Sequence, residues 1–417
     1  MNNIFVRNIL KLAGGTGTAQ LINIISIPIL ARLYVPEHFA ALAIFTSIVA
    51  IASVLTTLKF ENAIIAVKQD LDAAKLVLFI LFWSVFSSIF AFFTFIFLRK
   101  FIHFTDDQLT IVVAFSAVMS IVSSLNAVLY FYNNRHQNYS VMTKGRVYAA
   151  FTVFAISISG FYLGLGAIGL LTGALSGAVV NLLYQFHFGI KPDVKLTWQG
   201  IVSSINSAKK YRRFPLFLVP SSFIDRLASQ THTFFFAKFF SPEILGALNL
   251  HNRVTSLPAS VVGASVSDVF KKSANDLLQT TGNCSRLFFK TTLYLALLAI
   301  VPTLVLGLYG VEIYTLVFGE KWKFAGEIAE VLAPMFFFSF VVSPVSAIIY
   351  LEKNQKFDLF LQLFLLSLLL LFFYFSLSEL TPIVAVKAYM SAYIIKYVLE
   401  FFLCARLSSG HGKVLPL

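Results

Sequence analysis

Long apolar runs bounded by charged or turn residues divide the chain into twelve segments, roughly 9–31, 40–58, 74–98, 109–132, 147–164, 166–186, 214–238, 244–270, 290–308, 328–350, 358–377 and 381–404. Runs such as Leu76 to Leu98 and Leu359 to Leu377 hold no charged residue and are too long for strands of a soluble sheet. In lipid every backbone polar group must be satisfied within the segment, so these runs predict membrane-spanning helices. A transmembrane β-barrel would show short segments alternating apolar and polar residues, a pattern absent here. The fold class expected is all-α and polytopic, with about twelve transmembrane helices.

Polar positions inside these runs are not scattered. On the eighth segment Asn249, Arg253, Ser256, Ser260, Gly263 and Ser267 advance by three or four residues and form one stripe. Ser222, Arg226, Gln230 and Thr233 do the same on the seventh. Weaker stripes run through Thr16, Gln20 and Asn23 on the first segment and Thr46, Ser53 and Thr57 on the second. The third, ninth and eleventh segments are apolar all round, as expected of helices facing lipid. Four polar stripes predict a polar cavity between two halves of the molecule.

The halves themselves are legible as a repeat. Ala31-Arg32-Leu33-Tyr34-Val35-Pro36-Glu37 follows the first segment, and Ala237-Lys238-Phe239-Phe240-Ser241-Pro242-Glu243 follows the seventh, at an offset of 206. A second echo pairs Ala127-Val128-Leu129-Tyr130 with Ala347-Ile348-Ile349-Tyr350. Six segments per copy is an even number, so the halves enter the membrane with the same orientation. The expected organisation is an N-terminal lobe over 1–186, a cytoplasmic linker over 187–213 and a C-terminal lobe over 214–417. At the repeat offset Gln20 falls on Arg226.

Composition changes this picture only in detail. Of 417 residues 58% are hydrophobic and 12% charged, with a formal net charge of +13. A soluble globular enzyme carries about twice that charged share. Among the 32 Lys and Arg, 22 fall in one set of alternate loops and 6 in the other, so the basic excess reports topology, not nucleic acid. Both termini are expected in the cytoplasm. The first segment runs on into Arg32 without a small-residue cleavage site and is read as a retained helix. Cys284 and Cys404 supply neither a disulfide framework nor a metal cluster. Gly14-Gly15-Thr16-Gly17 follows no strand and precedes no G-K-[ST], so it is not a phosphate loop. No cofactor or metal is expected.

The remaining four cations, Arg226, Arg253, Lys387 and Lys396, lie within the segments. Arg226 stands 12 residues into its helix, about 18 Å deep, where a cation costs about 2.5–3.5 kcal/mol. It is read either as a contact for an anionic substrate or as an ion pair with a neighbour such as Asp225. Arg253 is close enough to one end to snorkel. Lys387 and Lys396 are nine residues apart and cannot share a face; Lys396 can pair with Glu400 one turn on. Glu61, Asp225, His232 and Asp268 are the candidate coupling-ion or proton sites, although a solvated carboxylate explains Glu61 and Asp268 equally. Pro28, Pro220, Pro258, Pro302, Pro334 and Pro344 are expected to kink their helices.

Gly17-Thr18-Ala19-Gln20 through Pro28 to Glu37, Lys59-Phe60-Glu61-Asn62-Ala63-Ile64, Tyr211-Arg212-Arg213-Phe214-Pro215, Pro220-Ser221-Ser222 and Arg253-Val254-Thr255-Ser256-Leu257-Pro258 together resemble the bacterial polysaccharide-biosynthesis flippases of the Wzx type. These belong to the multidrug/oligosaccharidyl-lipid/polysaccharide superfamily, whose drug-exporting members are the MATE transporters. Phe39-Ala40 stands where the family has a small residue after the Pro-Glu loop, while Gly246 keeps it in the second copy. The resemblance implies a V-shaped MATE-like bundle of two six-helix lobes in the bacterial inner membrane. It would move an undecaprenyl-diphosphate-linked oligosaccharide, an O-antigen or related lipopolysaccharide repeat unit, to the outer leaflet. Candidate substrate contacts are Arg226, Arg253, Gln20, Asn23, Ser222, Gln230, Asn249 and Asn252. Candidate partners besides the substrate and membrane lipids are a coupling proton or sodium ion and the polysaccharide polymerase and chain-length proteins. The alternatives are an ion-coupled multidrug antiporter, for which an anionic cavity is expected, and a membrane-embedded polymerase, which would need a long outer loop. The longest such loop expected here spans about 309–327.

Overall fold

The computed structural model describes residues 3–98, 106–189, 197–351 and 355–410. Within these, the regular structure is helical. Twelve long helices are α1 (Asn3–Leu33), α2 (Pro36–Thr57), α4 (Asp70–Leu98), α5 (Asp106–Arg135), α6 (Tyr139–Tyr162), α7 (Ala167–Phe188), α9 (Arg213–Phe239), α10 (Pro242–Thr280), α11 (Ser285–Phe318), α12 (Lys323–Val342), α13 (Gln355–Ser376) and α14 (Pro382–Ser408). Two short ones, α3 (Phe60–Ala66) and α8 (Trp198–Lys210), lie between them. Nine of the long helices contain a stretch apolar enough to cross a bilayer. The other three are α1, α9 and α10, which carry polar stripes. The chain is a multi-pass membrane protein.

The Pro-Glu motif has a local physical cause. Proline at the first turn needs no N–H partner, and an acid there faces the positive end of the helix dipole. Pro36 and Glu37 open α2 in this way, and Pro242 and Glu243 open α10. α2 ends at Leu58 and Lys59, consecutive left-handed residues with φ of 48° and 59° that turn the chain into α3.

Contacts divide the chain into two compact units. The first comprises Met1–Arg226 with Ser241–Gly246, the second Leu227–Phe240 with Ala247–Leu417. In the first unit α6 and α7 approach so closely that a Cβ on Gly160 would stand 2.6 Å from the Cα of Gly169. Tyr34, from the first repeat motif, donates to the Ser157 carbonyl at 2.6 Å and ties α1 to α6. Phe60, Ile64, Leu76, Ile80 and Tyr132 form a core where α3, α4 and α5 meet. The linker is partly helical: α8 packs on α4, and Lys210 and Tyr211 both bond Asp72 at 2.8 Å. Its residues 190–196 lie outside the described residues. In the second unit Phe270, Phe288, Phe336, Phe340, Leu361 and Cys404 form the core of α10 to α14.

Three expectations are corrected. The segment 309–327 is not a loop: α11 runs to Phe318, a single 3-10 turn covers Glu320–Trp322, and α12 starts at Lys323. Non-helical backbone in α11 falls at Tyr309 (φ −133°, ψ 22°), not at Pro302. The break frees the Val311 N–H, and the Glu330 carboxylate of α12 accepts it at 3.0 Å. The segment 328–350 is likewise two pieces, because Pro344 separates α12 from a 3-10 turn at Val345–Tyr350.

Candidate functional site

The first unit holds Gln20, Asn23, Ser222, Asp225, Arg226 and Glu61. Gln20 and Asn23 on α1 and Ser222 on α9 are half-buried. Arg226 Nε lies 3.9 Å from Asp225 Oδ2, with 46% and 42% of the two side chains exposed. At that distance the contact is a loose ion pair and not a bidentate clamp, which would need N···O near 2.8 Å. Glu61 in the first turn of α3 is buried, 3.9 Å from Lys59 Nζ, and its Oε2 has no hydrogen-bond partner among the described residues.

The second unit holds Gln230, His232, Asn249, Asn252, Arg253 and Asp268. His232 of α9 is buried, shares a 3.2 Å hydrogen bond with the Asn252 amide of α10, and lies 4.7 Å from the Tyr389 ring. Gln230 Nε2 donates to the adjacent Ser229 hydroxyl at 3.4 Å. Asn249 Oδ1 is enclosed with no hydrogen-bond partner among the described residues. Arg253, four residues on and so on the same face, is half-buried. Farther along the stripe Gly263 and Ser267 line a cavity of about 270 Å³ with Ser339, Ser343 and Pro344. Asp268 is exposed, three turns before the end of α10 at Thr280.

The hydroxyls of the stripes differ from the amides. Thr46 and Ser53 on α2 bond to carbonyls of their own helix at 2.8–3.0 Å, and Thr57 does so at 3.1 Å. Ser256 on α10 repeats this with the Arg253 carbonyl. A serine or threonine can satisfy itself on the preceding turn. The hydroxyls of the α2 stripe are thus satisfied within their own helix.

Some polar groups had no signal in the sequence. Asn126 of α5 donates to the Ala178 carbonyl and accepts from Asn181 and Gln185 of α7, at 2.8, 2.8 and 3.4 Å. Uncharged amides at wide separations form no motif, so only the fold brings them together. His251 and Tyr314, bonded at 3.2 Å and fully enclosed, are a second case. Among the described residues no three His, Cys, Asp or Glu stand together in a way that could hold a metal ion.

The family model for polysaccharide biosynthesis proteins matches residues 29–327. The chain belongs to that family. A Klebsiella pneumoniae protein described as an uncharacterized membrane protein in the cps region is 21% identical over 350 residues, 81% of this chain and 69% of the relative. Among solved structures, the lipid II flippase MurJ in an inward closed conformation matches with a TM-score of 0.69 at 14% identity, over 95% of this chain and 89% of that one. An inward-facing multidrug resistance MATE family transporter of the MOP superfamily matches at 0.66 and 16% identity, over 95% and 96%. A MOP superfamily transporter from Pyrococcus furiosus matches at 0.57 and 14% identity, over 97% and 96%. The chain therefore has the helical fold of MATE and MurJ transporters.

Proposed function

We propose that the protein is a flippase that carries an undecaprenyl-diphosphate-linked oligosaccharide, an O-antigen or related repeat unit, to the outer leaflet of the bacterial inner membrane by alternating access. The observation that carries this reading is the chemistry of α1, α9 and α10, which each unit carries in its own part: Arg226 with Gln20, Asn23 and Ser222 in the first, and Arg253 with Gln230, Asn249 and Asn252 in the second. A diphosphate takes charge-assisted bonds from arginine, and a glycan takes hydrogen bonds from amides and hydroxyls. The family's role in polysaccharide biosynthesis supports the substrate class. The likeness to a structure named a lipid II flippase supports a lipid-linked one. A drug antiporter for cationic compounds would be served by carboxylates at these positions, where arginines stand.

Arg226 is the position to test. Arg226→Ala is expected to reduce glycan export about 30-fold or more, the factor that about 2 kcal/mol of lost charge pairing represents, while the protein still inserts. Arg226→Lys is expected to keep part of the activity, since it retains the charge and loses the fork. Arg226→Cys is expected to react with a small hydrophilic thiol reagent. Export undiminished in Arg226→Ala refutes the assignment.

A further inference from the structure

α14 carries groups that the substrate contacts above do not use. Lys396 Nζ lies 2.6 Å from Glu400 Oε2, and the residues are 8% and 6% exposed. Lys396 stands about 20 Å from either end of α14, Pro382 and Ser408, at 1.5 Å per residue. The pair thus lies within the length of α14, on a level with Asp358 in the first turn of α13. Desolvating two charges costs about as much as their attraction returns, and a well-packed apolar pair serves stability as well or better. A buried ion pair kept inside a long apolar helix points to a use.

Its surroundings suggest which. Tyr389, Tyr393 and Tyr397 are four residues apart on one face of α14, with successive rings 5.0 and 6.0 Å apart. Tyr389 is hydrogen-bonded to Tyr393, and its ring lies against His232. Tyr397 lies under the Lys396 ammonium, 4.6 Å from Nζ to ring centroid, and its hydroxyl bonds Ser339 Oγ of α12 at 3.2 Å. Ser339 is a wall of the cavity that Gly263, Ser267 and Ser343 also line. A row of groups with exchangeable protons thus runs from His232 along α14 to the ion pair, and the pair touches the cavity wall through Tyr397.

We propose that Lys396 and Glu400 form a proton-coupling site of the transport cycle. A proton arriving from the outer side adds to the Glu400 carboxylate and breaks its ion contact with Lys396. It then leaves from the same oxygen to the cytoplasm, and the pair re-forms. A proton fits where a sodium ion does not, because the ammonium already fills the cation position beside the carboxylate. The intermediate with Glu400 neutral is reachable because Lys396 keeps two attractions, the Tyr397 ring and the Asp358 carboxylate of α13. Asp358 also accepts from Tyr350 at 3.2 Å. Of the other elements packed on α14, α12 has no charged residue over 331–342, the 3-10 turn at Val345–Tyr350 has none, and Arg286 and Lys290 of α11 are exposed. Cys404 lies on the next turn of α14 itself.

What the proton drives rests on the flipping reading; the protonation itself does not. Two measurements on the full chain in liposomes separate them. An infrared pH titration is expected to show a protonated-carboxyl band in the wild type that Glu400→Gln loses. Flipping of a polyprenyl-diphosphate-linked oligosaccharide is expected to accelerate by up to about tenfold per pH unit of acid-outside gradient, the factor that one proton per cycle allows. In Glu400→Gln it is expected to be indifferent to the gradient. Lys396→Met/Glu400→Gln removes both charges and keeps the test available if the single variant, with Lys396 left unpaired, fails to fold. A band unchanged in the variants, or a gradient response that survives in them, overturns the proposal. A band lost in the variants with no flipping by any protein overturns the flipping reading and leaves the proton site standing.

Discussion

Arg135 and Arg226 are both cations at or within helices of the first unit, and the structure gives them opposite surroundings. Arg135 ends α5 with Nε 2.8 Å from Asp70, Nη1 bonded to the carbonyls of Ile64 and Val67, and Nη2 3.2 Å from the Lys68 carbonyl. It collects carbonyls that the end of α3 leaves without intrahelical partners. Arg226 has a long contact to Asp225, 3.9 Å from Nε to Oδ2, and a side chain that is 46% exposed. In the sequence Arg135 counts as one more loop cation. All but one of the partners just named are backbone groups far along the chain, which no side-chain pattern records, whereas the place of Arg226 inside an apolar run can be read directly. Arg135→Ala is expected to destabilise the first unit by about 1–3 kcal/mol, since two part-buried carbonyls, of Ile64 and Val67, lose a charged donor. A fall in the thermal unfolding midpoint in detergent checks this. Arg135→Lys is expected to recover only part, because an ammonium cannot span the fork. An unchanged midpoint in the alanine variant would remove the clamp from the account.

At the level of elements, runs of apolar residues announced the long helices, and the i,i+4 spacing announced the Lys396–Glu400 pair, because both depend on local chain geometry alone. The break in α11 was hidden: Tyr309 is neither proline nor glycine, and the carboxylate that satisfies Val311 comes from another helix. The paired Pro-Glu loops were legible as a repeat but not as a contact. Inside the first unit, the start of α10 packs on the start of α2 so tightly that a Cβ on Gly246 would overlap the Pro36 carbonyl. This explains why the second copy needs glycine where the first has Ala40. The contact brings Glu243 beside Glu37, whose carboxyl, by hydrogen bonding and charge, holds the Glu243 carboxyl above the usual range. An acid raised in the folded state adds stability that is complete below the ordinary Glu value, about 4.3, and is lost as pH rises through the raised one. The loop contact is thus expected to tighten in acid and loosen toward neutrality. Glu243→Gln is expected to raise the unfolding midpoint at neutral pH, with the difference from wild type closing as pH falls below the ordinary Glu range. A difference that stays constant with pH would exclude the shared proton.

For the whole molecule, that same contact constrains topology. Pro36 and Gly246 touch, so α2 and α10 begin on one face of the membrane. Six long helices lie between those points, α2, α4, α5, α6, α7 and α9, and an even number of crossings is what a return to the same face requires. α3 and α8 must then not cross, in keeping with their lengths of 7 and 13 residues against the roughly 20 that a bilayer demands. Counting onward, α1 places the N-terminal end on the opposite face, and the five helices α10 to α14 place the C-terminal end there too. Lys209, after five crossings from Pro36, shares that face, and Lys321, two crossings beyond Gly246, does not. From the 22 to 6 distribution of Lys and Arg, the shared face is expected to be the cytoplasmic one. Reporter fusions at Lys209 and at Lys413, a position outside the described residues, are therefore expected to read cytoplasm, and one at Lys321 periplasm. Charge counting and crossing parity are independent arguments. Reversal of all three fusions would overturn the charge argument alone, while Lys209 and Lys321 reporting the same side would mean that one long helix does not span.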